Sequence, residues 1–167
     1  MKRILNTVIA GALCLAATTS QALPEDRSLP IDIFSEDYTQ DVARGVMSYV
    51  GNARISQGSL LIQADRIDVT FVDRVAVKIV ALGAPASLTD TPELERGQLE
   101  AQGNRVEYLI EADQVTVEGD ARFAHEGSEV TANQIVFDLS EAAAVATGGV
   151  RHVIQPPAVP ENTQEEQ

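Results

Sequence analysis

The residues that could do chemistry are few, and their spacing supports neither a metal site nor a nucleophile. His125 and His152 are the only histidines, and Cys14 is the only cysteine. A protein zinc site needs three or four His, Cys or acidic ligands, commonly at short spacings, and these residues do not provide them. No serine lies in a nucleophile-elbow pattern of the Gly-x-Ser-x-Gly type, so a Ser-His-Asp triad has no support either.

The carboxylates are numerous, but their distribution does not indicate acid–base catalysis. The chain has 25 Asp and Glu against 12 Lys and Arg, a formal net charge of −13. Close pairs such as Glu36-Asp37 and Glu111/Asp113 arise by chance at this density, and a solvated face explains them. Net acidity argues against a nucleic-acid partner, which requires a basic face. A 4 % aromatic content without Trp disfavours a polysaccharide-acting enzyme. The sequence therefore predicts a protein that is not an enzyme and has no cofactor.

The first 22 residues have the pattern of a secretory signal peptide. Lys2 and Arg3 precede a mostly apolar stretch, Ile4–Ala17, and small residues follow at Ser20 and Ala22. The apolar stretch is shorter than the roughly 20 residues that a membrane span requires. We therefore expect cleavage after Ala22 and export to the periplasm. Loss of the two basic residues would bring the net charge to −15.

The rest of the chain is predicted to be all-β. In residues 66–71, the apolar side chains of Ile67, Val69 and Phe71 alternate with polar ones, as in a half-buried strand. Similar runs of 5–7 residues, rich in β-branched side chains, recur along the chain. No stretch shows a sustained helical pattern.

Turn residues separate these runs. Pairs such as Gly51-Asn52 and Gly103-Asn104 predict turns or bulges. The longest loop is expected at Ala84–Gly97, which contains two prolines, and a hairpin connection is expected at Glu141–Ala144. We expect one domain over residues 23–155, followed by a disordered acidic tail, Pro156–Gln167.

An internal repeat relates the two halves of this domain. With a shift of 68 residues, Gly51–Ile55 matches Gly119–Phe123, and Ala64–Ile67 matches Ala132–Ile135. Short repeated strand units cannot bury an apolar face alone but can do so when stacked. Such a stack has two free edges, which we expect at the first strand, about residues 29–34, and the last, about residues 150–154.

The run Tyr49–Ile67 reads Y-V-G-N-A-R-I-S-Q-G-S-L-L-I-Q-A-D-R-I, and Val117–Phe137 is a second copy. With the export signal, this run resembles the periplasmic lipopolysaccharide-transport family of LptA (OstA-like) proteins. The resemblance implies an elongated, twisted, open β-jellyroll of stacked antiparallel strands with a lipid-accepting interior. It implies a carrier or bridge that takes the lipid A acyl chains of lipopolysaccharide into an apolar groove.

The resemblance also implies partners. Lipopolysaccharide would come from LptC at the inner membrane and pass to LptD–LptE at the outer membrane, through copies that associate head to tail. Two alternatives remain: an LptC-like member of the same pathway, and a structural β-solenoid without a ligand.

The candidate lipid-binding residues are the apolar side chains that alternate onto one face of the predicted strands. The alternative is that they fill a closed core, as most apolar strand faces do. The candidates are Ile31, Ile33, Met47, Tyr49, Ile55, Leu60, Ile62, Ile67, Val69, Phe71, Tyr108, Ile110, Val117, Phe123, Ile135 and Phe137.

Overall fold

The computed structural model describes residues 29–91, 97–141 and 143–155, and regular structure within them is entirely β. No helix in these ranges has the length and apolar character of a membrane span. The strands are β1 (Asp32–Phe34), β2 (Asp37–Asp41), β3 (Val46–Gln57), β4 (Leu60–Val72), β5 (Val75–Asp90), β6 (Leu99–Leu109), β7 (Gln114–His125), β8 (Ser128–Asp138), β9 (Ala143–Thr147) and β10 (Arg151–Ile154).

The strands form one antiparallel sheet. Its order is β1-β3-β4-β5-β6-β7-β8-β10, while β2 also pairs with β3 and β9 also pairs with β8. The short strands β1 and β2 thus lie end to end along one edge, and β9 and β10 lie end to end along the other. The predicted edges are confirmed in place, although each is shared by two short strands.

Every long strand bends near its middle, at a position that we call the corner line. The pairing register shifts there between each pair of neighbours, as between Val50 and Ala53 in β3. Gly51 and Gly119 have φ of 83° and 73°, a conformation that glycine adopts without steric cost. A β-bulge bends a strand while hydrogen bonding continues on either side. The matching glycines of the sequence repeat therefore mark the same corner.

The bends fold the sheet over into two layers. Phe137 pairs with Val115 in the second layer, which holds β2 and β9, whereas Phe123 lies eight residues further along β7 in the first layer, which holds β1 and β10. In a flat sheet this offset would be about 27 Å, at roughly 3.3 Å per residue. The ring centroids of Phe123 and Phe137 are 4.5 Å apart, so the inner faces of the two layers pack against each other.

Alternation along each strand supplies the core. On β4, Leu60, Ile62, Ile67 and Val69 are all buried, while the residues between them are half-buried or exposed. The sheet therefore has one apolar inner face and one polar outer face, as predicted. The TM-score given below for a solved structure confirms the all-β fold.

Two predictions of strand length were wrong. The runs of 5–7 residues are halves of strands that are 11–16 residues long, because the corner bulges do not end the strands. The loop expected at Ala84–Gly97 is instead β-strand as far as Asp90. Pro85 falls where the register shifts between Leu82 and Ala86, and a proline at such an irregularity deprives the ladder of no donor.

Two strands were not predicted. Strand β2 is exposed along its whole length, and its charged sequence carries no apolar signal. Strand β9 begins at Ala143, where a hairpin connection was expected, although the turn itself includes Glu141. The signal peptide and the acidic tail predicted at residues 1–22 and 156–167 lie outside the described residues.

Candidate functional site

An apolar cleft of about 340 Å³ lies between the two layers, at the ends of the strands that are farthest from the corner line. One wall comes from the first layer, near the β3–β4 turn. The other comes from β5, β6 and the β6–β7 turn of the second layer. Its lining residues are Ile31, Ile55, Gln57, Leu60, Val75, Ala76, Ile79, Tyr108, Ile110 and Asp113.

The cleft opens to solvent at an apolar mouth. Ile31 is 43 % exposed and Val75 is 63 % exposed, whereas Ile55 and Ile79 are buried at 1 % and 3 %. Exposed branched side chains above a buried apolar floor are what a site for a hydrocarbon chain requires, because burying each methylene contributes about 0.8 kcal/mol. The cleft is therefore suited to an elongated apolar ligand.

A short polar cluster lies in the wall of the second layer. The hydroxyl of Tyr108 donates a hydrogen bond of 2.7 Å to Oδ1 of Asp113. Tyr108 is 3 % exposed, and its hydroxyl reaches the half-buried carboxylate from within the cleft. On the opposite wall, Gln57 donates from Nε2 to the carbonyl of Leu29 at 2.9 Å.

The turn that carries Asp113 is fixed to both sides of the sheet. The amide of Ile110 donates to the carbonyl of Val77 at 3.1 Å, and the amide of Leu139 donates to the carbonyl of Asp113 at 2.9 Å. Asp113 itself has φ of 48°, a conformation that Asp and Asn tolerate better than most residues. The carboxylate is thus held in place by backbone contacts as well as by Tyr108.

Charged residues of the outer face pair with one another. Arg105 contacts Glu118 at 3.0 Å and also contacts Glu107, while Arg122 contacts Glu129 at 2.9 Å. The hydrogen bond from Arg122 and its positive charge hold the pKa of the Glu129 carboxyl below its usual range. These ion pairs lie on the face opposite the cleft, so they do not contribute to its lining.

The predicted lipid-binding residues all lie on the inner face or beside it, and they divide into three groups. Five line the cleft: Ile31, Ile55, Leu60, Tyr108 and Ile110. Four are half-buried beside the core: Ile33, Met47, Tyr49 and Phe71. Seven are buried in the core away from the cleft lining: Ile62, Ile67, Val69, Val117, Phe123, Ile135 and Phe137.

Five lining residues were not singled out from the sequence: Gln57, Val75, Ala76, Ile79 and Asp113. Val75 and Ile79 belong to a run whose alternation was recognised, so the apolar signal was present. Ala76 comes onto the inner face because the pairing register shifts between Thr70 and Phe71 on the neighbouring strand. Nothing in the sequence signals such a shift, nor the approach of Gln57 and Asp113 to the same cleft.

The two histidines are closer in the fold than in the sequence. His125 pairs in register with Ser128, and Nε2 of His152 lies 3.4 Å from the hydroxyl of the same serine. No group of three or more His, Cys, Asp or Glu within the described ranges could hold a metal ion.

The chain matches one protein-family model over residues 32–143, described as "LptA/(LptD N-terminal domain) LPS transport protein". It is similar to the lipopolysaccharide export system protein LptA of Haemophilus influenzae, at 24 % identity over 99 % of this chain and 98 % of that protein. It is also similar to the lipopolysaccharide export system protein LptA of Escherichia coli K12, at 27 % identity over 84 % of this chain and 76 % of that protein.

The fold is similar to that of a solved structure. The crystal structure of LptH from Pseudomonas aeruginosa, described as the LptA homologous periplasmic component of the lipopolysaccharide transport device, superposes with a TM-score of 0.75. The match covers 80 % of this chain and 100 % of that one, at 23 % sequence identity. This likeness confirms the predicted open β-jellyroll class of fold.

Proposed function

The chain belongs to the family of LptA and LptD N-terminal-domain lipopolysaccharide transport proteins, and from this premise we propose that it carries lipopolysaccharide across the periplasm. The family is one of transport proteins and not of enzymes. The relatives named lipopolysaccharide export system proteins support the same role. Export to the periplasm would require the signal peptide that residues 1–22 predict.

The observation that carries this proposal is the apolar cleft between the layers. Its floor is aliphatic, its mouth is exposed, and it lies within the domain that the family model covers. We propose that one or more lipid A acyl chains enter this cleft while the sugar and phosphate groups stay outside. Burial of ten methylenes would contribute about 8 kcal/mol at roughly 0.8 kcal/mol each, enough for binding that can still be reversed.

Binding should depend little on salt, because the cleft lining is apolar and the outer-face cations Arg66, Arg105 and Arg122 have acidic partners. We expect the Kd for dispersed lipopolysaccharide to change less than about twofold between roughly 0.05 M and 0.5 M NaCl, a range over which the screening length falls to a few Å. Equilibrium binding by fluorescence would measure this.

Two results would contradict the proposal. A steep loss of affinity with added salt would show that arginines hold the phosphates and that apolar burial is not the main source of binding. A folded protein that binds no lipopolysaccharide at any salt concentration would favour the structural β-solenoid instead.

The edges of the sheet support a second part of the proposal, a bridge made of several copies. The amide of Gln155 donates to the carbonyl of Gly127 on the β8 side. Because hydrogen-bond direction alternates along a strand, the amides of Val153 and Arg151 also point towards β8, and those of His152 and Ile154 point outward. Outward donors on an edge strand can pair with another strand. We propose that this edge meets the β1–β2 edge of the next copy, head to tail.

Ile154→Pro should weaken this self-association, because proline removes one outward amide donor. The matched control is Ile154→Ala, which removes the side chain but keeps the donor. We expect concentration-dependent oligomers for the parent chain and for Ile154→Ala, and far fewer for Ile154→Pro, by light scattering. Identical oligomers for both variants would exclude pairing through β10.

At the ends of such a bridge, we propose that LptC supplies lipopolysaccharide at the inner membrane and that LptD–LptE receives it at the outer membrane. The family relationship supports these partners. An LptC-like role for this chain is the alternative, and capture of LptC by the β1–β2 edge would argue against it.

A further inference from the structure

We propose that Asp113 determines which acyl ligands the cleft accepts. Its carboxylate disfavours a chain that ends in an anionic group, and it favours one whose linkage donates a hydrogen bond, such as an amide or a hydroxyl. This inference rests on the proposed function, in that the cleft must bind acyl chains, and it adds a chemical preference to that function.

The position of the carboxylate is the first argument. Asp113 is among the residues that line the cleft, and the other charged side chains of the described chain are absent from that lining. Oδ1 accepts the Tyr108 hydroxyl at 2.7 Å, so the carboxylate faces the same space as the tyrosine. An ionised carboxylate offers about four lone-pair sites and no donor. It can therefore accept a further hydrogen bond from a ligand, but it cannot donate one.

The surroundings of the carboxylate are the second argument. Apolar side chains, including Ile79 and Ile110, make up most of the lining, and an apolar wall strengthens interactions between charges. Gln57 faces Asp113 from the opposite wall and is neutral. A ligand carboxylate in the cleft would thus meet a like charge without a cation from the lining to offset it.

The rigidity of the turn is the third argument. Backbone hydrogen bonds from Ile110 to Val77 and from Leu139 to Asp113 anchor the turn to β5 and to the end of β8. The carboxylate cannot easily swing away from an anionic ligand, because Tyr108 also holds it. A fixed acceptor of this kind discriminates between ligands by charge and by hydrogen-bond donation.

The test compares decanoate with decanamide, two probes of the same length, at about pH 7.5, where an aliphatic carboxylic acid is ionised. We expect the parent protein to bind decanamide about tenfold more tightly than decanoate, by isothermal titration calorimetry. Asp113→Asn keeps the shape of the side chain and tolerates a positive φ. In this variant the preference should fall to about twofold or less, mainly through tighter decanoate binding.

Asp120→Asn is the matched control. Asp120 also has a positive φ, of 51°, but it is exposed on the corner line and away from the cleft. It should keep the tenfold preference. Equal affinity of the parent protein for both probes, or an unchanged preference in Asp113→Asn, would overturn the role of Asp113 and leave the proposed function standing. Binding of neither probe to the folded parent protein would overturn both.

Discussion

Ala76→Trp is expected to reduce lipopolysaccharide affinity by about fiftyfold without unfolding the protein. Ala76 lines the cleft and is half-buried, so an indole at this position would take up space that an acyl chain needs. Exclusion of about three methylenes would cost roughly 2.4 kcal/mol at about 0.8 kcal/mol each, which corresponds to that loss of affinity. Equilibrium binding and a thermal melt of the same sample would measure both effects.

Ala124→Trp is the control for added bulk. Ala124 is also half-buried on a strand, but it follows the inward-facing Phe123 and therefore lies on the outer face. Its affinity should stay within about twofold of the parent value, as for most surface changes outside a binding site. If Ala76→Trp bound lipopolysaccharide as well as Ala124→Trp does, the cleft would not be the acyl-chain site.

Gly103→Val is expected to lower the free energy of unfolding by about 3 kcal/mol, the upper range for overpacking a core. Gly103 is buried on β6 at the corner line. A Cβ there would lie 2.6 Å from Cγ1 of Val117 and 3.0 Å from the carbonyl oxygen of Glu118. The neighbouring strand would have to move, because one of these atoms belongs to its backbone. Urea denaturation followed by circular dichroism would measure the loss.

Gly149→Ala separates this clash from the general cost of replacing glycine. Gly149 has φ of 70° with nothing within 4 Å of an added Cβ, so the expected cost is only the backbone penalty of about 1 kcal/mol. Equal losses for the two variants would show that the corner can relax around a side chain at position 103. The two layers would then be less tightly packed at the corner than the distances indicate.

The sequence predicted the fold well where one physical rule acts locally. Alternation placed Ile67 and Val69 on a buried face, and the repeated Gly51-Asn52 and Gly119-Asp120 pairs marked the bends. It failed where a local signal has two structural outcomes. A Gly-Asn pair can end a strand or bend it, and only the pairing of neighbouring strands on both sides decides between the two.

The candidate site was predictable only in part, for a related reason. Ile55 and Ile62 both alternate onto the inner face and both are 1 % exposed, yet only Ile55 borders the cleft. The difference depends on how closely the two layers approach at each position, and no local pattern encodes that distance. Asp113 was recognised only as one acid among 25, because its neighbours in the cleft are distant in the sequence.

The most direct test of the acyl-chain site is photo-crosslinking to lipopolysaccharide. A benzoylphenylalanine at Ile31 or Ile110 would lie at the cleft, whereas one at Asp32 or Asp68 would lie on the outer face of β1 or β4. The proposed function predicts strong lipopolysaccharide adducts from the two cleft positions and background levels from the two outer ones. Equal capture at all four positions, or capture from the outer face alone, would contradict the central claim that lipopolysaccharide enters the cleft between the layers.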